Sequence, residues 1–312
     1  MAKSKKKKTE GSWGGPWTEQ KLDCFESYVK AYLTIMNVQR DKYNWKLIYF
    51  DGFAGCGSRT FTECDQEDSS KELLEIFESE NCADTQKELN VYAGAAERVV
   101  RLEQDMRGFD FYYFVDTNEN NLTKLNLKLA QYNVQGRLAY RHDNANNQAK
   151  LLADAMAKNP KLKTLCFLDP FGMNINWETI QQLAGKSIDL WILVPIGTIV
   201  NRLVKVDGTL MYPSKMESFF GLNRTEIQSR MQVRETEQTL FGEEQKIHKV
   251  NDAISKLANL YCEQLGTLFD YVTNEPLVLY NSNHLPIFHF VCASNNKTAI
   301  RIAKQIIDKR QA

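Results

Sequence analysis

Short apolar runs that end at acidic residues recur along this chain. The runs are residues 47–50, 111–115, 138–140 and 164–168, and they end at or close to Asp51, Asp116, Asp143 and Asp169, respectively; a further run, 188–194, ends at Pro195. Runs of this length with polar C-terminal ends are typical of buried parallel strands. Stretches with helical periodicity separate them. Because parallel neighbours need a crossover connection, this alternation predicts an α/β fold with a doubly wound, mostly parallel sheet.

The predicted helices lie at residues 18–36, 94–106, 120–132, 147–158, 177–184 and 297–309. In the first of them, Leu22, Phe25 and Val29 recur at three- and four-residue steps, which indicates one buried helix face. Near the C-terminus, the segments 276–281 and 285–293 are joined by a tight Ser-Asn connection. They predict an antiparallel hairpin at the edge of the sheet.

Two polar segments interrupt the alternation of strands and helices. We therefore predict a single domain over residues 16–312, with insertions at residues 58–92 and about 205–264. A length of 312 residues fits one large α/β domain with inserted segments. We expect both insertions to be helical, and the second to contain a helix at residues 244–265.

The first residues of the chain are unusually basic. Residues 1–15 are rich in Lys, Gly and Ser, and five lysines fall within the first eight positions. We expect a basic, disordered tail that either attracts phosphates or a membrane surface, or only aids solubility. Over the whole chain, 39 basic residues balance 39 acidic ones, and 43% of residues are hydrophobic. This balance excludes a wholly disordered chain, a collagen and a coiled-coil rod.

The longest mainly apolar stretch, residues 190–200, is too short for a membrane span of ~20 residues, and Pro195 and Gly197 interrupt it. We therefore expect no membrane association of this kind. The chain has seven cysteines without a Cys-x-x-Cys pair, and four scattered histidines. This usage indicates free thiols, a cytoplasmic location and no structural metal.

The first apolar run leads into a glycine-rich turn, Asp51-Gly52-Phe53-Ala54-Gly55-Cys56-Gly57. Glycines permit positive φ angles and let a ligand approach the backbone closely. A nucleotide-type ligand can then lie over the strand end, in the crevice where such sheets bind ligands. The spacing differs from Gly-x-Gly-x-x-Gly and no Lys-Ser/Thr follows, which argues against a dinucleotide fold and a P-loop. A tight turn without a ligand is the alternative interpretation.

Three further strand ends carry polar groups in suitable positions for a ligand. Asp116 can accept hydrogen bonds from both hydroxyls of a ribose, and Asp143-Asn144 can contact the amino group of an adenine. Asp169-Pro170-Phe171 offers an acceptor, a rigid turn and a flat stacking face, which together can hold a planar amine. Each acid alone also fits a strand-end cap, but their succession in order favours a shared ligand site.

These motifs resemble those of class I S-adenosylmethionine-dependent methyltransferases. The turn at residues 51–57 resembles the superfamily's first motif, which wraps the methionine end of the cofactor, and Asp116 resembles its ribose-binding acid. Asp143-Asn144 resembles the adenine-contacting pair. Asp169-Pro170-Phe171 resembles the Asp/Asn-Pro-Pro-Tyr/Phe motif of amino-methylating nucleic-acid enzymes. The resemblance implies a Rossmann-like methyltransferase sheet, S-adenosyl-L-methionine as cofactor, and N-methylation of a nucleobase-like amine in nucleic acid.

The resemblance also implies a role for each motif residue. The implied cofactor contacts are Asp51, Gly52, Phe53, Gly55, Gly57, Asp116, Thr117, Asp143 and Asn144. The implied catalytic site is Asp169, Pro170 and Phe171, with Asp169 accepting a hydrogen bond from the acceptor nitrogen and Phe171 stacking on its ring. Lys21 is a weaker candidate for a contact to substrate, because a solvated lysine in the first turn of a helix is the simpler interpretation.

More narrowly, the chain resembles the bacterial three-Cys-motif partner (TcmP) family over most of residues 17–310. The resemblance lies in Trp17-Thr18-Glu19-Gln20-Lys21-Leu22, in the turn at residues 51–55, in Asp169-Pro170-Phe171-Gly172 and in Trp191-Ile192-Leu193-Val194-Pro195. The family's name refers to the cysteines of a partner protein, so a genomically linked partner is one implied interaction. RNA or DNA is the other, which the fourth motif and the Lys tail favour.

Two departures from the superfamily pattern leave other functions open. The insertion at residues 58–92 separates Asp51 widely from Asp116, and we expect it to form a lid or a substrate wall. The fourth motif has a single proline, so Phe171 stands one place earlier than the usual aromatic. A second hypothesis is therefore a catalytically degenerate partner subunit of another enzyme or of a mobile-element or defence system. A third is a nucleic-acid-processing enzyme that binds a metal through Asp51, Asp143 and Asp169.

Overall fold

The computed structural model describes residues 16–56, 93–239, 242–281 and 283–311. The predicted tail, the insertion at residues 58–92 and Gly57 lie outside these ranges. Among the helices of the described ranges, none combines the length and the apolarity needed to cross a bilayer. The cysteines in the same ranges are free thiols, as predicted: Cys24, Cys56, Cys166, Cys262 and Cys292.

Within the described residues, eight strands form one main sheet and two form a separate hairpin. The strands are β1 (Lys46–Asp51), β2 (Phe111–Asp116), β3 (Leu138–His142), β4 (Leu162–Leu168), β5 (Ile188–Val194), β6 (Gln232–Thr239), β7 (Gly242–Lys249), β8 (Tyr271–Val272), β9 (Leu277–Tyr280) and β10 (Pro286–Ser294). The main sheet has the order β3-β2-β1-β4-β5-β10-β8, and β9 also pairs with β10. Strands β1 to β5 are parallel, whereas β10 is antiparallel to β5 and to β9. The mixed, mostly parallel α/β sheet and its C-terminal antiparallel hairpin are thus confirmed.

The strand order reverses between β1 and β4. From β1 the chain moves outward to β2 and β3, and it then returns to the other side of β1 with β4 and β5. In open α/β sheets, such a reversal leaves a crevice at the carboxyl ends of the strands. Asp51 at the end of β1 is in register with Phe167 of β4, so both strands end at the same level of the sheet.

The helices, in chain order, confirm most of the predicted positions. They are α1 (Pro16–Tyr43), α2 (Ala95–Arg101), α3 (Glu119–Leu129), α4 (Ala145–Lys158), α5 (Trp177–Leu183), α6 (Ile196–Thr198), α7 (Pro213–Phe220), α8 (Arg224–Met231), α9 (Ala253–Gly266) and α10 (Lys297–Gln311). Helix α1 extends well past the predicted end at residue 36, and α6 continues as a π-helix, Ile199–Leu203.

Alternate residues of the central strands face two hydrophobic clusters, one on each side of the sheet. Leu47 and Tyr49 of β1 belong to the cluster that includes buried residues of α1, α3 and α10. Ile48 and Phe50 belong to the cluster that includes buried residues of α4, α5 and α9. Because side chains alternate along a strand, a sheet that is covered on both faces needs apolar residues at nearly every position. This explains the unbroken apolar runs in the sequence.

The predicted helix at residues 244–265 is wrong in its first part, which lies in the centre of the second insertion. Residues 242–249 form β7, which pairs with β6 along its whole length, and the helix that follows begins only at Ala253. Glu, Gln and Lys are strong helix formers, which explains the helical prediction. Cross-strand pairing overrides that preference here.

Candidate functional site

The acid that ends β1 lies beneath the glycine turn. Asp51 is 1% exposed. Its Oδ1 accepts a hydrogen bond from the Phe53 N–H (3.2 Å), and its Oδ2 accepts one from the Tyr49 hydroxyl (3.1 Å). Burial raises the pKa of Asp51 to about 7; these two hydrogen bonds oppose the increase, and the charges of Asp169 and Asp116 add to it. Tyr49 was not among the predicted site residues, and its position two residues before the acid was the available signal.

Backbone hydrogen bonds fix the turn to both neighbouring strands. The Gly52 N–H donates to the Phe167 carbonyl of β4 (3.0 Å), and the Ala54 N–H donates to the Val115 carbonyl of β2 (2.9 Å). Phe53 lies between them, half-buried, and packs against the cluster on the α4 side of the sheet. The turn therefore bridges the ends of β4 and β2.

Two glycines of the turn are needed for different reasons. A Cβ on Gly52 would lie 2.7 Å from Cδ2 of Leu168, so a side chain there would collide with the end of β4. Gly55 has a φ of +61°, which disfavours other residues, and no described atom lies within 4 Å of where its Cβ would be. The turn is thus tightly packed at Gly52, whereas no residue of the described ranges crowds Gly55.

The acid that ends β2 is joined directly to this turn. Oδ2 of Asp116 accepts a hydrogen bond from the Gly55 N–H (2.9 Å), and Oδ1 accepts from the Asn118 N–H (2.7 Å) and from the Asn121 side chain (3.2 Å). A carboxylate has about four lone-pair positions, so Oδ2 can accept a further hydrogen bond beyond the one that the described residues donate to it. Thr117, the next residue, is exposed at the strand end.

Asp143 and Asn144, which follow β3, form hydrogen bonds at the start of α4. Asp143 accepts hydrogen bonds from the side chains of Gln148 (2.6 Å) and Asn147 (3.0 Å), and these bonds lower its pKa. Asn144 is the N-cap residue of α4. The Asp143 N–H donates to the Asp116 carbonyl (3.2 Å), which holds this end of β3 beside that of β2. Both predicted adenine contacts therefore lie next to the turn, but their side chains carry local bonds.

The acid that follows β4 forms a buried ion pair with α1. Nζ of Lys21 lies 2.5 Å from Oδ2 of Asp169, and the two side chains are 2% and 15% exposed, respectively. The same Nζ lies 5.6 Å from the centre of the Trp17 ring. The simpler interpretation of Lys21, a solvated lysine, is therefore wrong. A buried ammonium needs a compensating charge, and Asp169 supplies it.

The rest of the fourth motif forms a tight turn. Pro170 is buried, whereas Phe171 is half-buried and packs against the cluster on the α4 side of the sheet. Gly172 lies within the turn and has a φ of +61°. Phe171 thus keeps part of its surface exposed two residues after Asp169.

The structure brings most of the predicted site residues to one edge of the sheet. The glycine turn, Asp116 and Asp169 lie at the ends of β1, β2 and β4, with Asp143 and Asn144 one strand further out. In the described part of the chain, no group of three or more His, Cys, Asp or Glu side chains is arranged to hold a metal. Asp51, Asp143 and Asp169 therefore do not form such a group.

These elements define a mixed α/β protein whose strand order reverses between β1 and β4, the strands whose ends carry the glycine turn and Asp169. Among solved structures, the chain is similar to protein LPL1258 of Legionella pneumophila, described as a DUF519 protein, with 15% identity over 91% of this chain and 98% of that chain. The TM-score is 0.41. No family model matches the sequence, and no curated protein matches it either.

Proposed function

We propose that this protein is an S-adenosylmethionine-dependent methyltransferase with a Rossmann-like sheet, acting on an amine nitrogen of a nucleobase-like group in nucleic acid. The observation that carries the proposal is the hydrogen bond from the Gly55 N–H to Asp116, which joins the glycine turn to the acid of the next strand. This junction lies at the crevice where open α/β sheets bind nucleotides. The resemblance of the motifs to the methyltransferase superfamily and to the TcmP family supports the same function.

The charges and the open space of the crevice fit a cationic nucleoside. The carboxylates of Asp51, Asp116 and Asp169 are close enough for the latter two to raise the pKa of the first. Lys21 neutralises Asp169, and a pKa of about 7 leaves Asp51 only partly ionised, so the Asp116 carboxylate is the main negative charge there that can attract a sulfonium cation. Within the described ranges, Oδ2 of Asp116 can accept a further bond, which suits a ribose hydroxyl, and no residue crowds Gly55, where the methionine moiety would lie.

Methyl transfer depends mainly on the positioning of the acceptor amine relative to the methyl group. When bound, S-adenosylmethionine supplies a methyl group that its sulfonium has already activated. Holding an amine in line with that group supplies much of the rate acceleration. Asp169 would accept a hydrogen bond from the amine, orient its lone pair, and take the proton that the methylated nitrogen releases. Phe171 would stack on the acceptor ring, and the ion pair with Lys21 holds the Asp169 carboxylate in place.

The substrate class rests on two features. The acid-proline-aromatic sequence at residues 169–171 favours a planar amine, and the five lysines among the first eight residues favour a polyanion. Nucleic acid combines planar amines on its bases with a polyanionic backbone.

Calorimetric titration with S-adenosylmethionine, followed by transfer of tritiated methyl groups to total RNA and DNA, tests the proposal. Wild-type protein should bind the cofactor and label one of the nucleic acids. Asp169→Asn should bind the cofactor without labelling either. The matched control is Asp154→Ala, which removes an exposed acid of α4. Failure of the wild-type protein to bind the cofactor would reject the proposal.

A specific observation also favours the degenerate partner subunit. The Asp169 carboxylate is engaged by Lys21, and Asp143 is engaged at the start of α4, so both acids have structural roles without any ligand. Cofactor binding without methyl transfer to nucleic acids, proteins or small molecules would favour this function over catalysis. Co-purification with a genomically linked protein would then identify the partner.

A further inference from the structure

A cavity of about 550 Å³ lies at the edge of the main sheet, apart from the crevice. Its walls include Gln20 of α1, Asn259 of α9, Tyr280 of β9, His289 of β10 and Arg310 of α10. Sites for small organic ligands typically measure about 300–1,000 Å³. The cavity is therefore large enough for a ligand of nucleoside size.

One wall carries a buried histidine with an unsatisfied nitrogen. His289 is 6% exposed, and its Nδ1 has no hydrogen-bond partner among the described residues. Burial lowers the pKa of His289 to about 4, so the ring is neutral at pH 7 and offers one N–H donor and one acceptor. Leaving a buried polar atom unpaired is costly. His289 therefore adds a neutral polar ring to the cavity wall, within the apolar segment at residues 287–291.

The charged groups at the cavity already have partners. Arg310 donates to the Asp23 carbonyl (3.0 Å) and pairs with the Asp23 carboxylate (3.5 Å) on α1. Glu275 pairs with Lys304 of α10 at 3.1 Å. The remaining polar groups at the wall are uncharged amides and hydroxyls, including those of Gln20 and Asn259. This lining fits an uncharged ligand with both donors and acceptors.

We propose that this cavity binds a nucleobase that neighbours the methyl acceptor in the substrate strand. Amide side chains pair with base edges through one donor and one acceptor, and Tyr280, 48% exposed, offers a stacking surface. The inference rests on the proposed function. Gln20 at the cavity and Lys21 at Asp169 are consecutive residues, so the first turns of α1 contribute to both places.

The direct test is an NMR titration of wild-type protein labelled with ¹⁵N-histidine. The chain has four histidines, so the ring signals are few, and His289→Gln assigns the one of interest. Adenosine, guanosine, cytidine and uridine serve as uncharged probes. At least one of them should shift the ring nitrogens of His289. Unchanged His289 signals with all four nucleosides at millimolar concentration would overturn the inference.

Substitutions of exposed residues test the same cavity without disturbing the hydrophobic core. Tyr280→Ala and Asn259→Ala should weaken nucleoside binding about fivefold or more, because each removes a stacking or pairing group. The matched control is Tyr271→Ala, which removes an exposed tyrosine of β8 that does not line the cavity and should have no effect. Cofactor affinity should stay constant in all three variants.

The two proposals fail in distinguishable ways. If the nucleosides shift His289 but S-adenosylmethionine does not bind, base binding at the cavity stands and the proposed function fails. If nucleic acid is methylated with the same KM by Tyr280→Ala, Asn259→Ala and wild-type protein, the proposed function stands and the cavity has no role in substrate binding.

Discussion

The Nζ atom of Lys21 lies 2.5 Å from Oδ2 of Asp169, although the two residues are 148 positions apart in the chain. This ion pair joins α1 to the end of β4, beside the glycine turn. Because the lysine is almost fully buried, Asp169 stabilises the fold in addition to its proposed role at the acceptor nitrogen. The two roles can be separated experimentally.

Breaking the ion pair should destabilise the protein. Asp169→Asn leaves a buried ammonium without its carboxylate, so we expect a loss of about 3–5 kcal/mol in the free energy of unfolding. Lys21→Met should cost less, because Asp169 is the more exposed partner. The double variant should lose less than the sum of the two. Urea unfolding followed by circular dichroism measures all three, and additive losses would contradict a direct interaction.

Catalysis should depend on Asp169 more strongly than cofactor binding does. Asp169→Asn keeps an oxygen acceptor but removes the charge, so we expect S-adenosylmethionine affinity within about twofold of wild type and a fall in kcat of about 100-fold or more. The assay is tritiated-methyl transfer at a temperature at which circular dichroism shows the variant to be folded. Turnover at the wild-type rate would exclude Asp169 from the site.

The Lys21 contact illustrates what the sequence could and could not reveal. Lys21 lies on the same helical stripe as Phe25, Tyr28 and Tyr32, all buried, and a lysine on an apolar stripe was a signal for a buried charge. Its partner could not be inferred, because a contact across 148 positions depends on the tertiary fold.

The strands were predictable because the central sheet is buried on both faces, which leaves continuous apolar runs. The hairpin of β6 and β7 was not, since its Glu, Gln and Lys residues have high helix propensity and only the pairing of the two strands decides their conformation. The hydrogen bond from Gln148 to Asp143 could not be predicted either, because an acid that caps a strand end and an acid that contacts a ligand have the same sequence pattern.

The pH dependence of stability should reveal the buried Asp51. The folded state raises the pKa of this carboxyl from 3.8 to about 7, so it binds a proton more tightly than the unfolded state does. The resulting stabilisation is present at low pH and is lost as the pH rises through 7. Relative to Asp51→Asn, which does not titrate, wild-type protein should therefore lose stability at up to about 1.4 kcal/mol per pH unit between pH 4 and 7. Parallel profiles in urea unfolding would contradict the raised pKa.

The glycine turn should tolerate substitution poorly at both of its described glycines. Gly55→Ala forces a left-handed backbone on alanine and should cost about 1–2 kcal/mol. Gly52→Ala should cost more, because the new methyl would meet Leu168. Gly136→Ala is the matched control, since that glycine has no such strain and no close neighbour. We expect weaker cofactor binding in the first two variants only; equal affinities in all three would show that the turn does not contact the cofactor.

Titration of the protein with S-adenosylmethionine in a calorimeter tests the central claim most directly. We expect saturable binding by wild-type protein, at least a tenfold loss of affinity in Asp116→Ala, and unchanged affinity in the exposed-acid control Asp154→Ala. Circular dichroism before each titration confirms that the variants are folded. Absence of binding by the wild-type protein, or equal affinity of Asp116→Ala, would contradict a cofactor site at the ends of β1 and β2.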